Sequence, residues 1–268
     1  MFYKETSFTS TFIRLMSECN DIILDIYNSE FDVAIKDDKS PLTIADEECN
    51  KHICNYLQLL TQRFEENGDV EYGDMIVISE ENKNMDYDRR KNKKWCWLVD
   101  PVDGTKEFVK KNGQFTVNIG LCEDGVPVFG IVSIPVSGEI YYGINGIGSF
   151  KLNENEETKK LKIRPNKTCK GAGVKIIASA SHLSKKTEEF IRDFENPEII
   201  NVGSSIKLLW VAENKADLYP RIAPTSEWDT CAAHAVVKYA GGSVVQYDNY
   251  IELQYNKECL LNPFFICK

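Results

Sequence analysis

The sequence predicts a mixed α/β (α+β) protein, and three stretches carry that reading. Apolar residues recur at helical spacing near the start. Short strands separated by turn residues fill the middle. Strand-like and helix-like segments then alternate to the end, as in an α/β layer.

Phe12, Leu15, Met16, Cys19, Ile22, Ile23 and Ile26 lie on one helical face, which places a helix over roughly 6–28. Lys36 to Pro41 reads as a loop. Thr43 and Asp46 resemble a capping box, followed by a helix with Ala45, Cys49, Ile53, Leu57 and Leu60 on one face. Residues 65–74 and 82–94 read as polar loops around a short strand, Met75 to Ile78. Trp95 to Val99 reads as a buried strand that ends in a tight turn. Phe115–Leu121, Val126–Ile134 and Ile140–Tyr142, with turns at Glu123–Gly125, Ser137–Glu139 and Asn145–Gly146, form an antiparallel meander. The hydrophilic run Asn153 to Glu157 suggests a boundary, giving domains 1–155 and 156–268. Beyond it come strands at 174–178, 199–202, 217–219 and 243–246 and helices at 184–194, 203–213 and 228–239, the last closed by Gly241-Gly242.

The bulk numbers narrow the function. The 268 residues can bury a sizeable core. A net charge of −9 argues against a nucleic-acid partner, yet it leaves a phosphate substrate open, because a bound metal reverses the local sign. No apolar run reaches the roughly 18 residues of a membrane span, and the N-terminus lacks a signal-peptide layout. The nine cysteines include no Cys-x-x-Cys pair and read as buried thiols in a reducing cytoplasm. The three histidines have no zinc-ligand spacing.

The chemistry concentrates at strand ends. In Trp97-Leu-Val-Asp100-Pro-Val-Asp103-Gly104-Thr105, two carboxylates and a hydroxyl fall within six residues. The strand before it ends in Ser79-Glu80-Glu81. Carboxylates with no His or Cys beside them make an all-oxygen site, which suits Mg2+ before Zn2+. Glu227-Trp228-Asp229 places another carboxylate at the start of an apolar helix, where it also suits a cap. Gly203-Ser204-Ser205-x-Lys207 offers backbone N–H groups and hydroxyls to an anion. His182 follows Ser179-Ala180-Ser181, and His234 lies within an apolar helix where packing is the better reading. Lys106, Lys110 and Lys111 read as a solvated face.

Together these segments resemble the lithium-sensitive, Mg2+-dependent phosphatases of the inositol monophosphatase superfamily. Its pattern is a strand ending in Glu-Glu, then Trp-x-x-Asp-Pro-x-Asp-Gly-Thr, then a later Trp-Asp opening a helix. All three occur here in order, preceded by Ser40-Pro-Leu-Thr-Ile-Ala-Asp46. Lys106-Glu-Phe108, Asn112 to Ile119, Ser179-x-Ser-His182, Gly203 to Lys207, Leu218-Tyr-Pro-Arg221 and Leu261-Asn-Pro263 resemble its 3'(2'),5'-bisphosphate nucleotidase branch. The resemblance implies a layered αβαβα sandwich. It makes Glu80, Asp100, Asp103, Asp229 and the Val102 carbonyl ligands to two Mg2+ ions or three. Asp46 and Thr105 would then activate water, the Gly104 and Thr105 amides would grip the reacting phosphate, and His182, Gly203, Ser204, Lys207 and Arg221 would hold the nucleotide. It also implies a small phosphorylated nucleotide as partner, no nucleic acid or membrane, and a monomer or homodimer. Two other readings stay open: the same chemistry on inositol phosphates, and a silent nucleotide-binding regulator.

Overall fold

The computed structural model describes residues 1–30, 33–35, 41–69, 71–82, 84–164, 173–178 and 184–268. A long amphipathic helix, α1 (Thr6–Tyr27), opens the chain and is followed by the antiparallel strands β1 (Val33–Ile35) and β2 (Pro41–Thr43). Pro41, read as loop, is thus a strand residue. Helix α2 (Ile44–Glu66) starts at the predicted capping box, where Asp46 Oδ2 accepts the Thr43 N–H at 2.8 Å and the Thr43 hydroxyl at 2.7 Å.

Strand β3 (Ile76–Ser79), a short helix α3 (Tyr87–Arg90) and strand β4 (Trp95–Asp103) come next. The single turn α3 interrupts what the sequence marks as polar loop; Asp86 caps it by accepting the Asp88 N–H at 3.2 Å. Strand β4 runs four residues past the predicted end at Val99. Its ladder with β5 slips between Asp100 and Asp103, so the Asp-Pro-Val-Asp segment is a bulged strand and the turn falls at Gly104 (φ 96°). A bulge re-aims side chains without ending the pairing, and Pro101 has no N–H to give the ladder.

Helix α4 (Thr105–Val109) leads into the meander β5 (Thr116–Glu123), β6 (Val126–Ile134), β7 (Glu139–Ile144), β8 (Gly148–Leu152) and β9 (Thr158–Leu161). Strands β3 to β9 form one seven-stranded sheet in sequence order, with only β3 and β4 parallel. Asn153 to Glu157, read as a boundary, makes the turn between β8 and β9 of that sheet.

The later elements are β10 (Lys175–Ala178), α5 (Lys185–Arg192), β11 (Glu198–Asn201), α6 (Ile206–Ala212), β12 (Tyr219–Arg221), α7 (Cys231–Tyr239), β13 (Val244–Gln246) and β14 (Phe265–Cys267). Parallel β10 and β11 and the antiparallel trio β12-β14-β13 are joined by a bridge between Ile176 and Leu218. Strands β1, β2, β8, β9 and β14 are absent from the sequence reading; strands of three to five residues leave few positions for a period of two to show.

Both faces of the large sheet are buried, so β4 alternates between two cores. Trp95, Trp97 and Val99 pack with α1 and α2, while Cys96 and Leu98 pack with α6 and α7. Phe12 stacks on Trp97 with ring centroids 5.3 Å apart. A third apolar cluster puts Phe190 and Phe194, in and just after α5, against Ile176, Leu218, Val245 and Ile266 of the smaller sheet. The order is therefore helices, large sheet, helices, small sheet, helix, the expected αβαβα sandwich.

Helix α7 lies closest to the large sheet. Gly120, Gly130 and Gly143 stand side by side on β5, β6 and β7. A Cβ on Gly130 would come within 2.2 Å of the Ala232 carbonyl oxygen, on Gly120 within 2.5 Å of Cys231 Sγ, and on Gly143 within 2.5 Å of the Ala235 carbonyl. Backbone cannot yield as a side-chain tip does. Gly130→Ala should lose about 1–3 kcal/mol or more of unfolding free energy, read as a lower urea midpoint by tryptophan fluorescence.

His234 is fully buried in α7, but polar contacts hold it as well as packing. Its Nε2 sits 3.2 Å from Glu252 and its Nδ1 2.9 Å from the Tyr255 hydroxyl. Burial holds its pKa below 6.5, so the neutral ring donates to Glu252 and accepts from Tyr255. Hydrogen bonds, first from His234 and also from Lys238, lower the Glu252 pKa to about 2. Both groups release protons more readily when folded. Their stabilisation is present above the unfolded values, 6.5 and 4.5, and is lost as pH falls below them. Between pH 7 and 4 the parent's urea midpoint should therefore fall relative to that of His234→Gln, with the two proteins measured side by side.

Candidate active site

Three strand or helix ends meet beside the start of α7. Glu80 begins a 3-10 turn, Glu80–Asn82, just past β3. Asn82 Oδ1 accepts the Ser79 N–H at 2.7 Å, and the Ser79 hydroxyl binds Asn50 of α2. The turn is thus tied to the helix that carries Asp46. Asp100, 1% exposed, lies at the bulge of β4, where Oδ1 accepts the Val102 N–H at 3.1 Å. Asp103 closes the same strand. Asp229 precedes α7, and its Oδ2 accepts the Ser226 N–H at 2.8 Å. The helix N-cap is Thr230, so Asp229 does not serve as its cap.

Burial pushes the Asp100 carboxyl well above the usual carboxylate range, and Glu80, Asp103, Asp229 and Asp46 add to it. Burial and then Asp103 raise Asp229 to about 8. Asp103 is also raised by burial, against the hydrogen bond from Ser204 and the charge of Lys207. The expected carboxylates therefore share one electrostatic field. As the side chains stand, no three Asp, Glu, His or Cys residues among those described close into a metal cage. The donor chemistry still fits a hard divalent cation: the carboxylates are oxygen-only and crowded, and a cation would relieve that crowding.

Thr105 links the bulge to α2. Its hydroxyl is 3.3 Å from Asp46 Oδ1 and 3.2 Å from the Val102 carbonyl. Gly104, in the left-handed region, precedes α4, and its position leaves 3.1 Å between an added Cβ and the Gln114 carbonyl. Left-handed backbone here favours glycine.

The glycine-serine segment borders Asp103 directly. Gln114 Oε1 accepts the Gly203 N–H at 2.8 Å. Ser204 has φ 56°, a left-handed conformation uncommon for a residue with a side chain. Its hydroxyl donates to Asp103 Oδ2 at 2.6 Å, and the Ser205 N–H donates to the same oxygen. Thr116 lies 2.6 Å from the Ser204 hydroxyl and 2.8 Å from that of Ser205, which also reaches Asn118. Ser204 is thus held by a proposed metal ligand, Asp103, and by Thr116, while Ser205 is held by Thr116 and Asn118; the sequence reading gave no role to Thr116 or Asn118. A signal existed: Thr116 and Asn118 are polar at alternate positions of a strand buried on both faces.

Lys207 donates to the Ser204 carbonyl at 3.2 Å and lies over the Tyr219 ring at 5.9 Å. Burial lowers its pKa, opposed by Asp103, while nearby Arg221 lowers it further. Arg221 is the last residue of β12; it donates to the Pro224 carbonyl at 2.9 Å, and its Nε is buried without a hydrogen-bond partner. Lys207, Arg221, Ser204, Gly104, Asp103 and Asp229 all line one cavity of about 210 Å³. His182 falls outside the described residues. Lys106, Lys110 and Lys111 are exposed, as expected of a solvated face.

The chain belongs to the inositol monophosphatase family, a family of metal-dependent phosphatases whose model matches residues 4–263. Within it, the sequence is 35% identical over 254 residues to the 3'(2'),5'-bisphosphate nucleotidase CysQ of Salmonella typhimurium, covering 94% of this chain and 96% of that one. Haemophilus influenzae CysQ is 31% identical over 243 residues, 90% of this chain and 84% of its own. The structure is similar to CysQ from Bacteroides thetaiotaomicron, with a TM-score of 0.78 and 38% identity over 96% of this chain and 94% of that one. An inositol monophosphatase of Thermotoga maritima shares the fold, with a TM-score of 0.73 at 20% identity over 97% of this chain and 91% of that one.

Asp100→Asn removes one crowded carboxylate and keeps its shape. The metal-free variant should unfold at or above the parental temperature. Metal-dependent turnover should fall by on the order of 100-fold or more, since such an ion is worth several kcal/mol to the reaction. Calorimetry without metal and phosphate release with Mg2+ check the two halves.

Proposed function

We propose that this chain is a 3'(2'),5'-bisphosphate nucleotidase that removes the 3'-phosphate of 3'-phosphoadenosine 5'-phosphate, giving AMP and phosphate. The observation that carries the reading is the pairing of two unlike subsites in one cavity. The carboxylates Asp103 and Asp229 line it, and so do the cations Lys207 and Arg221. A substrate with a single phosphate needs only the first. One with two phosphates needs a fixed cationic partner for the group that is not cut, and arginine suits bidentate contact with it. The unmet Arg221 Nε–H and the mutual proximity of the two cations support an anion there.

Glu80, Asp100, Asp103, Asp229 and the Val102 carbonyl would hold Mg2+, two ions or three. Bound there, Mg2+ supplies charge neutralisation for the phosphate oxygens and a more acidic water. Asp46, braced by Thr43, holds the Thr105 hydroxyl, whose lone pairs accept a hydrogen from the attacking water and orient it. The amides of Gly104 and Thr105, at the start of α4, face developing negative charge on the reacting phosphate. Ser204 keeps Asp103 in place while its backbone and that of Gly203 flank the second phosphate. Among the described residues no helix is long and apolar enough to cross a membrane, and the cytoplasm is the proposed compartment.

Lys207→Ala and Arg221→Ala should each lower kcat/KM for 3'-phosphoadenosine 5'-phosphate by on the order of 10- to 150-fold, the worth of one charged contact of about 1.5–3 kcal/mol. The same variants should lose far less on a monophosphate such as inositol 1-phosphate. Equal losses on both substrates would reassign these residues to the reacting phosphate, and a parental preference for inositol 1-phosphate would overturn the nucleotide reading.

A further inference from the structure

The carboxylates come from two distant stretches of chain. Glu80 and Asp100 bracket residues 81–99, which include α3, whereas Asp229 belongs to the segment before α7. A third stretch, residues 254–262, joins the two. On one side it meets Arg90, only 2% exposed, at the end of α3. The guanidinium donates to the Asn256 side-chain carbonyl at 3.0 Å and to the backbone carbonyls of Lys257 at 2.6 Å and Glu258 at 2.9 Å. It also lies over the Tyr87 ring at 4.9 Å, and the Asn256 amide returns a bond to the Arg90 carbonyl at 2.9 Å.

On the other side the stretch meets Glu227, two residues before Asp229 and fully buried. Its carboxylate accepts the Asn256 N–H at 2.6 Å, the Lys257 N–H at 3.1 Å and the Lys257 ammonium. Its carbonyl accepts the Cys231 N–H at 3.0 Å, at the start of α7. Asn262 completes the arrangement. Its amide donates to the Ser226 carbonyl at 2.7 Å and to the Thr230 hydroxyl at 3.0 Å, on either side of Asp229. Ser226 is the residue whose N–H holds the Asp229 carboxylate.

We propose that Arg90, Glu227 and Asn262 are positioning residues that set the affinity of the carboxylate site for its divalent cation, by holding Asp229 in register with the strands of Glu80 and Asp100. The inference rests on the cation site of the proposed function. Its physical basis is the use of buried charge. Burying an arginine and a glutamate in separate hydrogen-bonded sockets costs desolvation that apolar packing would avoid. What such contacts supply is direction: charge-assisted bonds are short and fix geometry. Residues that orient metal ligands typically change affinity 10- to 100-fold when altered.

The test is direct binding of Mn2+ to the metal-free protein by titration calorimetry, for the parent, Arg90→Lys, Glu227→Gln and Asn262→Ala, with thermal unfolding recorded without metal. The variants should bind Mn2+ on the order of 10- to 100-fold more weakly. They should need correspondingly more Mg2+ for half-maximal phosphate release and reach near-parental kcat once saturated, with KM for the nucleotide little changed. If Glu227→Gln fails to fold because Lys257 loses its partner, the other two carry the test from opposite ends. Folded variants that bind Mn2+ as tightly as the parent would reduce the arrangement to a structural support and overturn the proposal. A parent that binds no Mn2+ would overturn it together with the cation site. A parent that binds Mn2+ more tightly than the variants yet spares bisphosphorylated nucleotides would refute the substrate reading alone.

Discussion

Helix α7 rests on the large sheet at a distance that only glycine allows. Gly120, Gly130 and Gly143 form a bare track across three strands, and the backbone of Ala232 and Ala235 settles into it. This contact decides where α7 begins, and α7 begins two residues after Asp229. The bulge that ends β4 lies on the neighbouring strand and carries Asp100 and Asp103. A side chain anywhere on the track would lift the helix and separate Asp229 from those partners. The spacing of these carboxylates is therefore a consequence of interior packing, where density leaves little slack.

Gathering carboxylates this way works against folding. Asp100 and Asp229 have raised proton affinities because burial and their neighbours disfavour charge. The protein offsets this locally without neutralising the cluster. Thr43 holds Asp46, the Val102 amide holds Asp100, Ser204 and Ser205 hold Asp103, and the Ser226 amide holds Asp229. Hydroxyls and amides of this kind orient a carboxylate but leave its charge for a cation. Lys207 and Arg221 line the same cavity as Asp103 and Asp229, and Lys207 donates to the carbonyl of Ser204, whose hydroxyl donates to Asp103. The proposed substrate-binding and metal-binding residues thus share a hydrogen bond.

Much was legible in the sequence. The two long helices, the meander, the C-terminal alternation and the carboxylate motifs appear where periodicity and strand-end chemistry place them. The layered sandwich came with the family resemblance. The errors cluster where a local signal competes with a ladder. Asp-Pro-Val-Asp-Gly carries every mark of a tight turn, yet pairing with β5 continues as far as Asp103 and the chain turns only at Gly104. Polar residues 82–94 contain a capped turn of helix.

Composition and spacing by themselves determined the chemistry on offer: oxygen ligands without histidine or thiol, a hydroxyl beside them, and a glycine-serine segment followed by a lysine. Those are properties of short contiguous segments, and local sequence encodes them. Only the tertiary structure decided which groups share a space and what each one touches. Ser204 turns to Asp103, Thr116 and Asn118 reach Ser205, and Arg90 reaches across 166 to 168 residues of chain to bind Asn256, Lys257 and Glu258. Such contacts depend on strand register, on a bulge and on the depth to which one helix sinks. None of these is a property of neighbouring residues, so no local pattern records them.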